Sequence, residues 1–243
     1  MPKPTHADVA IRPATSADLP LTSHWQCRFL RDGLFPRLGP RFVRHWHATF
    51  LDALWGFAFI AEAQGPDGPV PLGFLFGSSD QLRHVDDVLQ WHRTRLELQG
   101  VLALAVRPRL CLGFMRTRGR SYLRRLLKRP VTATAPATGP MTATVPRIAV
   151  ITAVVVDPAS RHHGIGGQLV EHFLDRAAEA GAPLAELVTK AGPVGAGRFY
   201  EGLGWTPVHE HTTKDAETAK TYRFQLTPGT PGFDHPPVQE FPE

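Results

Sequence analysis

The sequence predicts an α/β fold, and two observations carry that prediction. The apolar, β-branched stretch Ile148–Val156 is typical of a strand, and it is followed by a glycine-rich turn and an amphipathic helical pattern with Ile165, Leu169 and Phe173 on one stripe. The amino-terminal half contains further strand and helix patterns, in the order strand, helix, helix, strand, strand. With 243 residues, 42% of them hydrophobic, the chain is long enough for one domain with an insertion and a sizeable core.

The individual elements follow from apolar periodicity and from turn residues. Residues 16–18 are typical of a helix N-cap, and residues 64–69 are rich in turn-forming residues. In the first half, strands are predicted at 9–15, 55–63 and 70–77, and helices at 19–30 and 41–54. In the second half, the predicted elements after the central strand and helix are a strand at 183–189, a helix at 194–203, and strands at 205–211 and 221–226.

Residues 80–147 are predicted to be a basic insertion between the third and fourth strands. They contain thirteen Lys and Arg against four Asp and Glu, a balance of +9, whereas the rest of the chain carries −4. Two apolar patterns predict helices between 80 and 128, and residues 130–146, rich in Thr, Ala and Pro, predict a linker or an ordered loop without a helix. The predicted units are therefore 1–79, 80–147 and 148–227, with a flexible tail at 228–243.

Several classes of protein are excluded by composition. Cys27 and Cys111 lie far apart, so neither a disulfide framework nor a metal site with cysteine spacing is expected. No signal peptide begins the sequence, and every apolar stretch is broken well before the length of about 20 residues that a membrane span needs. We therefore expect a cytoplasmic protein without a metal site. It is expected to be a monomer or a homodimer.

The turn after the central strand has the features of an anion site. Asp157 and Pro158 end the strand, and glycines then lead into a helix whose first amides have no helical partner and point towards a bound anion. The glycine spacing fits neither the dinucleotide fingerprint nor the P-loop. Instead, Arg161-x-x-Gly164-x-Gly166, preceded by V-x-V-D-P, resembles the acyl-CoA signature Q/R-x-x-G-x-G/A of the GNAT acyltransferase superfamily.

A second stretch strengthens this resemblance. Residues 196–205, AGRFYEGLGW, are similar to the family motif A-x-x-F-Y-x-x-L-G-F/W, and the two motifs occur in family order and at family spacing. The resemblance implies a GNAT fold, with a mixed, mostly antiparallel sheet flanked by helices and splayed between the fourth and fifth strands. It also implies acetyl-CoA as the acyl donor. The residues implied to bind the cofactor are Val154, Val155, Val156, Arg161, His162, His163, Gly164, Ile165, Gly166 and Gly167.

The resemblance also implies a catalytic residue. Tyr200 corresponds to the tyrosine that often lies near the sulfur of CoA in the family, where its hydroxyl can donate a proton to the departing thiolate. We expect its neighbours Phe199 and Leu203 to be core residues. Many relatives have an asparagine that helps to bind the cofactor seven positions before this tyrosine, where this chain has Pro193, so that contact must be lost or replaced.

The general base is open at this stage, because the fourth strand contains no acid. The alternatives are Glu62, Asp80, Glu186, His84 and a chain of water molecules. Two further histidines, His45 and His47, are two positions apart and should diverge on a helix, so we interpret them as surface or substrate-wall residues.

The predicted function is direct transfer of an acetyl group from acetyl-CoA to an amine, most simply on a small molecule. The alternatives are a protein amine as acceptor, or an acyl-CoA-binding protein without catalysis. For the basic segment 80–129 three hypotheses are open: a solvated helical hairpin, a funnel for an anionic acceptor, or contact with an anionic membrane surface. Nucleic acid is not an expected partner, because that segment has no recognisable motif and no interleaved stacking aromatics.

Overall fold

One seven-stranded sheet runs through the part of the chain that the structure describes. In this computed structural model the described residues are 9–31, 33–105, 147–192, 195–213 and 217–226. The strands are β1 (Val9–Pro13), β2 (Gly56–Gly65), β3 (Gly68–Ser78), β4 (Ile148–Val156), β5 (Leu184–Lys190), β6 (Thr206–Thr212) and β7 (Thr218–Gln225). Their order across the sheet is β1-β2-β3-β4-β5-β7-β6, and all neighbours are antiparallel except β4 and β5, which are parallel.

Helices cover both faces of this sheet. Those in the described residues are α1 (Leu19–Phe29), α2 (Leu34–Leu38), α3 (Pro40–Asp52), α4 (Gln81–Asp87), α5 (Arg93–Ala105), α6 (Ile165–Glu179) and α7 (Gly197–Gly202). A π-helical turn, Val88–His92, joins α4 to α5. The buried stripe of α6, which includes Leu169 and Phe173, packs on one face of the sheet, whereas Leu19 of α1 and Phe50 of α3 pack on the other. This mixed, mostly antiparallel sheet between helical layers confirms the predicted fold class.

A β-bulge in β4 changes which side chains face each layer. Two successive residues of β3 pair with Ala153 and Ile151, so Thr152 is an extra residue on β4. As a result, Ile151 packs in the core beneath α6, whereas Ala153 and Val155 pack on the opposite face with α1 and α3. The bulge therefore reorients the carboxyl-terminal half of β4, which leads into the glycine-rich turn.

The predicted insertion is described only in its first part. Its first apolar pattern forms α4, the π-helical turn and α5, while the second pattern at 110–127 and the linker at 130–146 lie outside the described residues, as does the predicted tail. Residues 80–105 contain three Lys and Arg against four Asp and Glu, so most of the basic charge also falls outside them. None of the helices in the described ranges is long and apolar enough to cross a membrane.

An ion-pair cluster joins β1, β2 and the start of α1. Arg12 donates hydrogen bonds to both carboxylate oxygens of Asp18, at 2.8 and 2.9 Å, and its Nε donates to Glu62 at 2.8 Å. The backbone N–H of Thr15 donates to the same Asp18 carboxylate at 2.7 Å. Asp18 is thus at the N-cap position of α1, but its carboxylate binds Arg12 and Thr15 and makes no capping bond to the helix.

This cluster predicts an acid-dependent stability. The hydrogen bonds from Arg12 favour the charged carboxylate and lower the pKa of Asp18 from 3.8 to about 2. The unfolded chain therefore binds this proton first as the pH falls, so the contribution of Asp18 is complete above about pH 4 and is lost between about pH 4 and pH 2. Because the Arg12 side chain is 35% exposed, solvent screening reduces the contribution, and we expect about 1 kcal/mol.

Urea unfolding of the wild type and of Asp18→Asn from pH 6 to pH 2 measures this contribution. The free-energy difference between the two proteins should be largest at pH 6 and should shrink below pH 4. Asp67→Asn, in the exposed hairpin turn after β2, serves as the matched control and should show no such change. A difference that stays constant with pH would contradict the assignment.

The close packing of α6 on β3 predicts a second stability effect. A Cβ added at Gly77 would lie 2.6 Å from Cε2 of Phe173 and 2.7 Å from the carbonyl oxygen of Val150, and both of these neighbours are fixed by the core. Gly77→Ala should therefore destabilise the fold by about 2–3 kcal/mol, measured by urea unfolding. In contrast, Gly202→Ala meets no atom within 4 Å and should leave stability unchanged or slightly raised. Equal stabilities of the two variants would refute this packing.

Candidate active site

A cleft opens where β4 and β5 stop pairing. The two parallel strands pair only from Ile148 to Ile151 and from Leu184 to Leu187. Beyond the bulge at Thr152, β4 remains paired with β3 but has no ladder with β5 in the described chain. Apart from the Val156 carbonyl, which accepts from Arg161, the backbone groups of Val154–Val156 that face β5 are therefore available to a ligand. They lie at the carboxyl end of two parallel strands, where open α/β sheets commonly bind ligands.

The glycine-rich turn begins directly at this cleft. The N–H of Asp157 donates to the carbonyl of Leu72 at 2.8 Å and so fixes the start of the turn to β3. His162 and Gly164 have φ values of 63° and 72°, in the left-handed region that favours glycine. His163 donates from Nδ1 to the carbonyl oxygen of Arg161 at 2.7 Å. The turn is thus held by its own backbone and aims the chain into α6.

The amino terminus of α6 presents unpartnered amides. Its N-cap residue, Gly164, has no side chain to accept a hydrogen bond, and the first helical bond runs from the N–H of Gln168 to the carbonyl of Gly164 at 3.1 Å. Within the described ranges, the N–H groups of Ile165, Gly166 and Gly167 have no acceptor. These amides and the positive end of the helix dipole together favour an anion at this point.

Phe199 forms a wall beside these amides. A Cβ added at Gly166 would lie 3.2 Å from Cζ of Phe199 and 3.7 Å from Cγ2 of Val156, so the ring is close to both the helix and β4. Phe199 is 41% exposed, and the prediction that it is a core residue is wrong. Its position on α7 directs the ring towards α6 and solvent, whereas Leu203 packs against the core.

Arg161 links the turn to the opposite helical layer. Its Nε donates to the carbonyl of Val156 at 3.3 Å, and its guanidinium lies 6.0 Å from the centre of the Phe29 ring at the end of α1. The side chain is exposed, and its charge adds to the positive field at the amino terminus of α6.

Tyr200 is buried on a different side of α7 from the residues that contact the turn. Its ring lies 5.9 Å from Trp205 and 6.4 Å from Tyr222, centre to centre. Burial raises the pKa of the Tyr200 hydroxyl, so the group keeps its proton at neutral pH. Among the described residues, no hydrogen bond to this hydroxyl is found. The structure therefore brings Val156, Arg161 and Gly166 together, whereas Tyr200 packs with Trp205 and Tyr222 on the other side of α7.

Three of the four side chains considered as general base are engaged in ion pairs. Glu62 accepts from Arg12, as described above. Glu186 accepts from Arg223 at 2.6 and 2.9 Å. Asp80 lies 3.5 Å from the Arg83 guanidinium and also caps α4 by accepting from the N–H of Arg83 at 3.2 Å.

His84, the fourth candidate, is fully buried against the ring of Phe50 and has no hydrogen-bond partner among the described residues. Burial lowers its pKa. His84 therefore has no ring nitrogen exposed to a substrate.

His47 is part of the core, so its interpretation as a surface or substrate-wall residue is wrong. Its ring stacks on Phe76 at 4.0 Å, Nε2 lies 2.5 Å from Oε1 of Gln26, and Nδ1 lies 3.0 Å from the hydroxyl of Thr22. Burial lowers the pKa of His47 to about 3, so the ring is neutral, donates from Nε2 and accepts at Nδ1. Pro193, where many relatives have asparagine, lies outside the described residues.

The comparison with protein families agrees with this geometry. Residues 130–207 match the family described as acetyltransferase (GNAT) domain, and this range contains β4, the glycine-rich turn, α6, β5 and α7. Over these residues the chain is similar to a GNAT acetyltransferase domain. No curated protein matches the chain in sequence.

Solved structures show the same GNAT fold at low sequence identity. Ard1 from Thermoplasma volcanium is 14% identical with a TM-score of 0.50, and the match covers 90% of this chain and 99% of that one. For NAA60 from Arabidopsis thaliana in complex with acetyl-CoA, the identity is 11%, the TM-score 0.52 and the coverage 90% and 98%. For the spermidine/spermine N-acetyltransferase SpeG from Vibrio cholerae, in complex with manganese ions, these values are 10%, 0.50, 91% and 94%.

Proposed function

We propose that this GNAT domain transfers an acetyl group from acetyl-CoA directly to an amine on a small molecule. The observation that carries the proposal is the free edge of β4 at Val154–Val156, which runs without interruption into a turn whose helix presents three unpartnered amides. An extended arm with amide groups fits the first feature, and a pyrophosphate fits the second. Acetyl-CoA contains both, in that order from the thioester.

The residues of the cleft have separate tasks in this proposal. The backbone of Val154–Val156 pairs with the pantetheine arm, and residues 161–167 bind the pyrophosphate, with Arg161 adding charge. A backbone N–H of β4 polarises the thioester carbonyl, as donors of an oxyanion hole do. NAA60, which shares the fold, has been solved with acetyl-CoA, and this supports acetyl-CoA as the donor here.

The reaction then needs one proton donor and one proton acceptor. The amine nitrogen forms a bond to the acetyl carbon while the carbon–sulfur bond breaks, and Tyr200 donates its hydroxyl proton to the departing thiolate. The amine must lose a proton during the same reaction. Because Glu62, Asp80 and Glu186 are held in ion pairs, we assign that proton to water at the open cleft.

The nature of the acceptor separates this proposal from its alternatives. SpeG is described as an N-acetyltransferase of spermidine and spermine, which supports a small-molecule amine. A protein amine is the second candidate for the acceptor. A domain that binds acyl-CoA without catalysis is the candidate from another class, and the absence of an acid on β4 agrees with it.

The experiment is a thiol-release assay with acetyl-CoA on the full chain. One panel contains small primary amines, and a second contains peptides with free amino termini or lysine side chains. Thiol release with the first panel supports the proposal, whereas release with peptides alone replaces it by the protein acceptor. If calorimetry detects acetyl-CoA binding but neither panel releases thiol, the proposed catalysis is refuted and the binding function remains.

A further inference from the structure

Two histidines share one face of the strand at the sheet edge. His209 and His211 lie two positions apart on β6, and their register with Thr221 and Ala219 of β7 is regular, so both side chains project from the same face. Their ring centres are 5.6 Å apart and the ring planes differ by 11°. β6 is the last strand of the sheet in the described chain, and His209 on it is exposed.

The histidine pair faces away from α6 and α7. Tyr222 packs in the core beneath α6, and its neighbour Thr221, which pairs with His209, therefore points to the opposite face. Glu210 lies between the two histidines but projects to the other face, where it is 3.6 Å from the ammonium group of Lys220. The pair is therefore separate from the proposed acetyl-transfer cleft and uses none of its residues.

The Nδ1 atom of His211 is a buried polar atom with no hydrogen-bond partner among the described residues. Such an atom is unfavourable unless a ligand or water satisfies it. His209 is exposed, and its ring lies parallel to that of His211. Because rotation about the last side-chain bond of histidine is broad and of low energy, both rings can turn a nitrogen towards a shared point.

The distance between the rings fits a shared metal ion. A transition-metal ion about 2.0–2.1 Å from one nitrogen of each ring places the two ring centres roughly 4.5–5.5 Å apart at coordination angles between 90° and 120°. The observed separation of 5.6 Å is within a small side-chain rotation of this range. Neutral imidazole is a preferred ligand of Cu²⁺, Ni²⁺ and Zn²⁺.

The geometry points to a second site in this protein, at which His209 and His211 chelate one divalent transition-metal ion on the open face of β6. No group of three or more His, Cys, Asp and Glu that could hold a metal occurs within the described ranges. The two imidazoles are thus the protein ligands in that part of the chain, and water completes the coordination. Such an open site binds Cu²⁺ most tightly, as the order of divalent metal affinities requires.

Calorimetric titration of the full, chelator-treated chain with Cu²⁺, and separately with Zn²⁺, tests this site. The matched control is the double variant His211→Asn with Thr212→His, which keeps the number of histidines but moves one to the opposite face of the strand. The wild type should bind one Cu²⁺ about 10- to 100-fold more tightly than this control, because the second imidazole binds intramolecularly. His24→Asn, which removes an exposed histidine of α1, should bind like the wild type.

The ligand set has its own spectroscopic readout. The electron paramagnetic resonance spectrum of the Cu²⁺-loaded wild type should show hyperfine coupling to two imidazole nitrogens, and that of His209→Asn should show one. Equal Cu²⁺ affinities of the wild type and the spacing control, or a wild-type spectrum with a single nitrogen, would overturn the chelate. Thiol release from acetyl-CoA by His209→Asn should be unchanged, so this test does not depend on the proposed function.

Discussion

Replacing Gly164 with glutamate is expected to abolish binding of acetyl-CoA. Gly164 is the N-cap of α6 and lies directly before the three unpartnered amides that we assign to the pyrophosphate. A glutamate at this position places a side chain and a negative charge at the anion site. The positive end of the helix dipole would then face both the carboxylate and the pyrophosphate, and it cannot compensate for the charge of both. We expect the dissociation constant to rise at least about 100-fold, or roughly 2.7 kcal/mol, as measured by calorimetry.

Backbone strain must be separated from charge in this variant, because Gly164 has a φ of 72°. Gly164→Asn is the matched control, since asparagine tolerates the left-handed region better than other residues with a Cβ and carries no charge. It should retain binding within about tenfold of the wild type, with an unchanged circular-dichroism spectrum. If the folded glutamate variant binds acetyl-CoA as the wild type does, the turn is not the pyrophosphate site and the proposed function fails.

The centre of the fold could be predicted because its signals are local. The bounds of β4 agree with the sequence prediction at both ends, since β-branched residues favour a strand and Asp157-Pro158 stops one. The glycine at position 164 has the left-handed conformation that a sharp entry into α6 requires. The amphipathic stripe of α6 is likewise buried as its period indicates.

The features that the sequence did not reveal depend on contacts between residues that are far apart in the chain. The bulge at Thr152 depends on the register between β3 and β4, and nothing in a β-branched run distinguishes one residue from the next. His47 is buried because Thr22 and Gln26, more than twenty positions earlier, supply its hydrogen bonds. Without those partners a histidine on a helix is more simply placed at the surface.

The candidate bases show the same limitation. Glu62 and Glu186 each form an ion pair with an arginine far away in the sequence. Each glutamate meets its arginine only because the strands that carry them are neighbours in the sheet. Phe199 differs from prediction for a related reason, because α7 is only six residues long and ends against α6. A single helical turn leaves two neighbouring aromatic residues on different sides, so that Tyr200 is buried while Phe199 is exposed.

Replacing Tyr200 with phenylalanine should lower kcat about 100-fold, which is the lower end of the contribution of a general acid. The KM for acetyl-CoA should remain unchanged, because the hydroxyl acts only when the carbon–sulfur bond breaks. Stability should change little, since no hydrogen bond to that hydroxyl is found within the described residues and its removal leaves no partner unsatisfied. Steady-state kinetics with the best amine of the panel and a thermal melt measure all three quantities.

Tyr222→Phe is the matched control, because its hydroxyl has a structural partner. Tyr222 donates to Oε1 of Glu201 at 2.8 Å, so its loss should reduce stability by about 1 kcal/mol while kcat stays within about twofold.

The pH profile gives a further readout of the acid role. Burial raises the pKa of Tyr200 above its ordinary value of 10.0, so the proton remains available throughout the neutral and mildly alkaline range, and Tyr200 imposes no fall in kcat below about pH 10. An unchanged kcat in Tyr200→Phe would contradict the acid role and leave the thiolate to depart without a proton donor from the protein. A second contrary result would be a wild-type kcat that falls above pH 8 while the kcat of Tyr200→Phe does not. That result would show that the Tyr200 hydroxyl loses its proton at a lower pH than its burial implies.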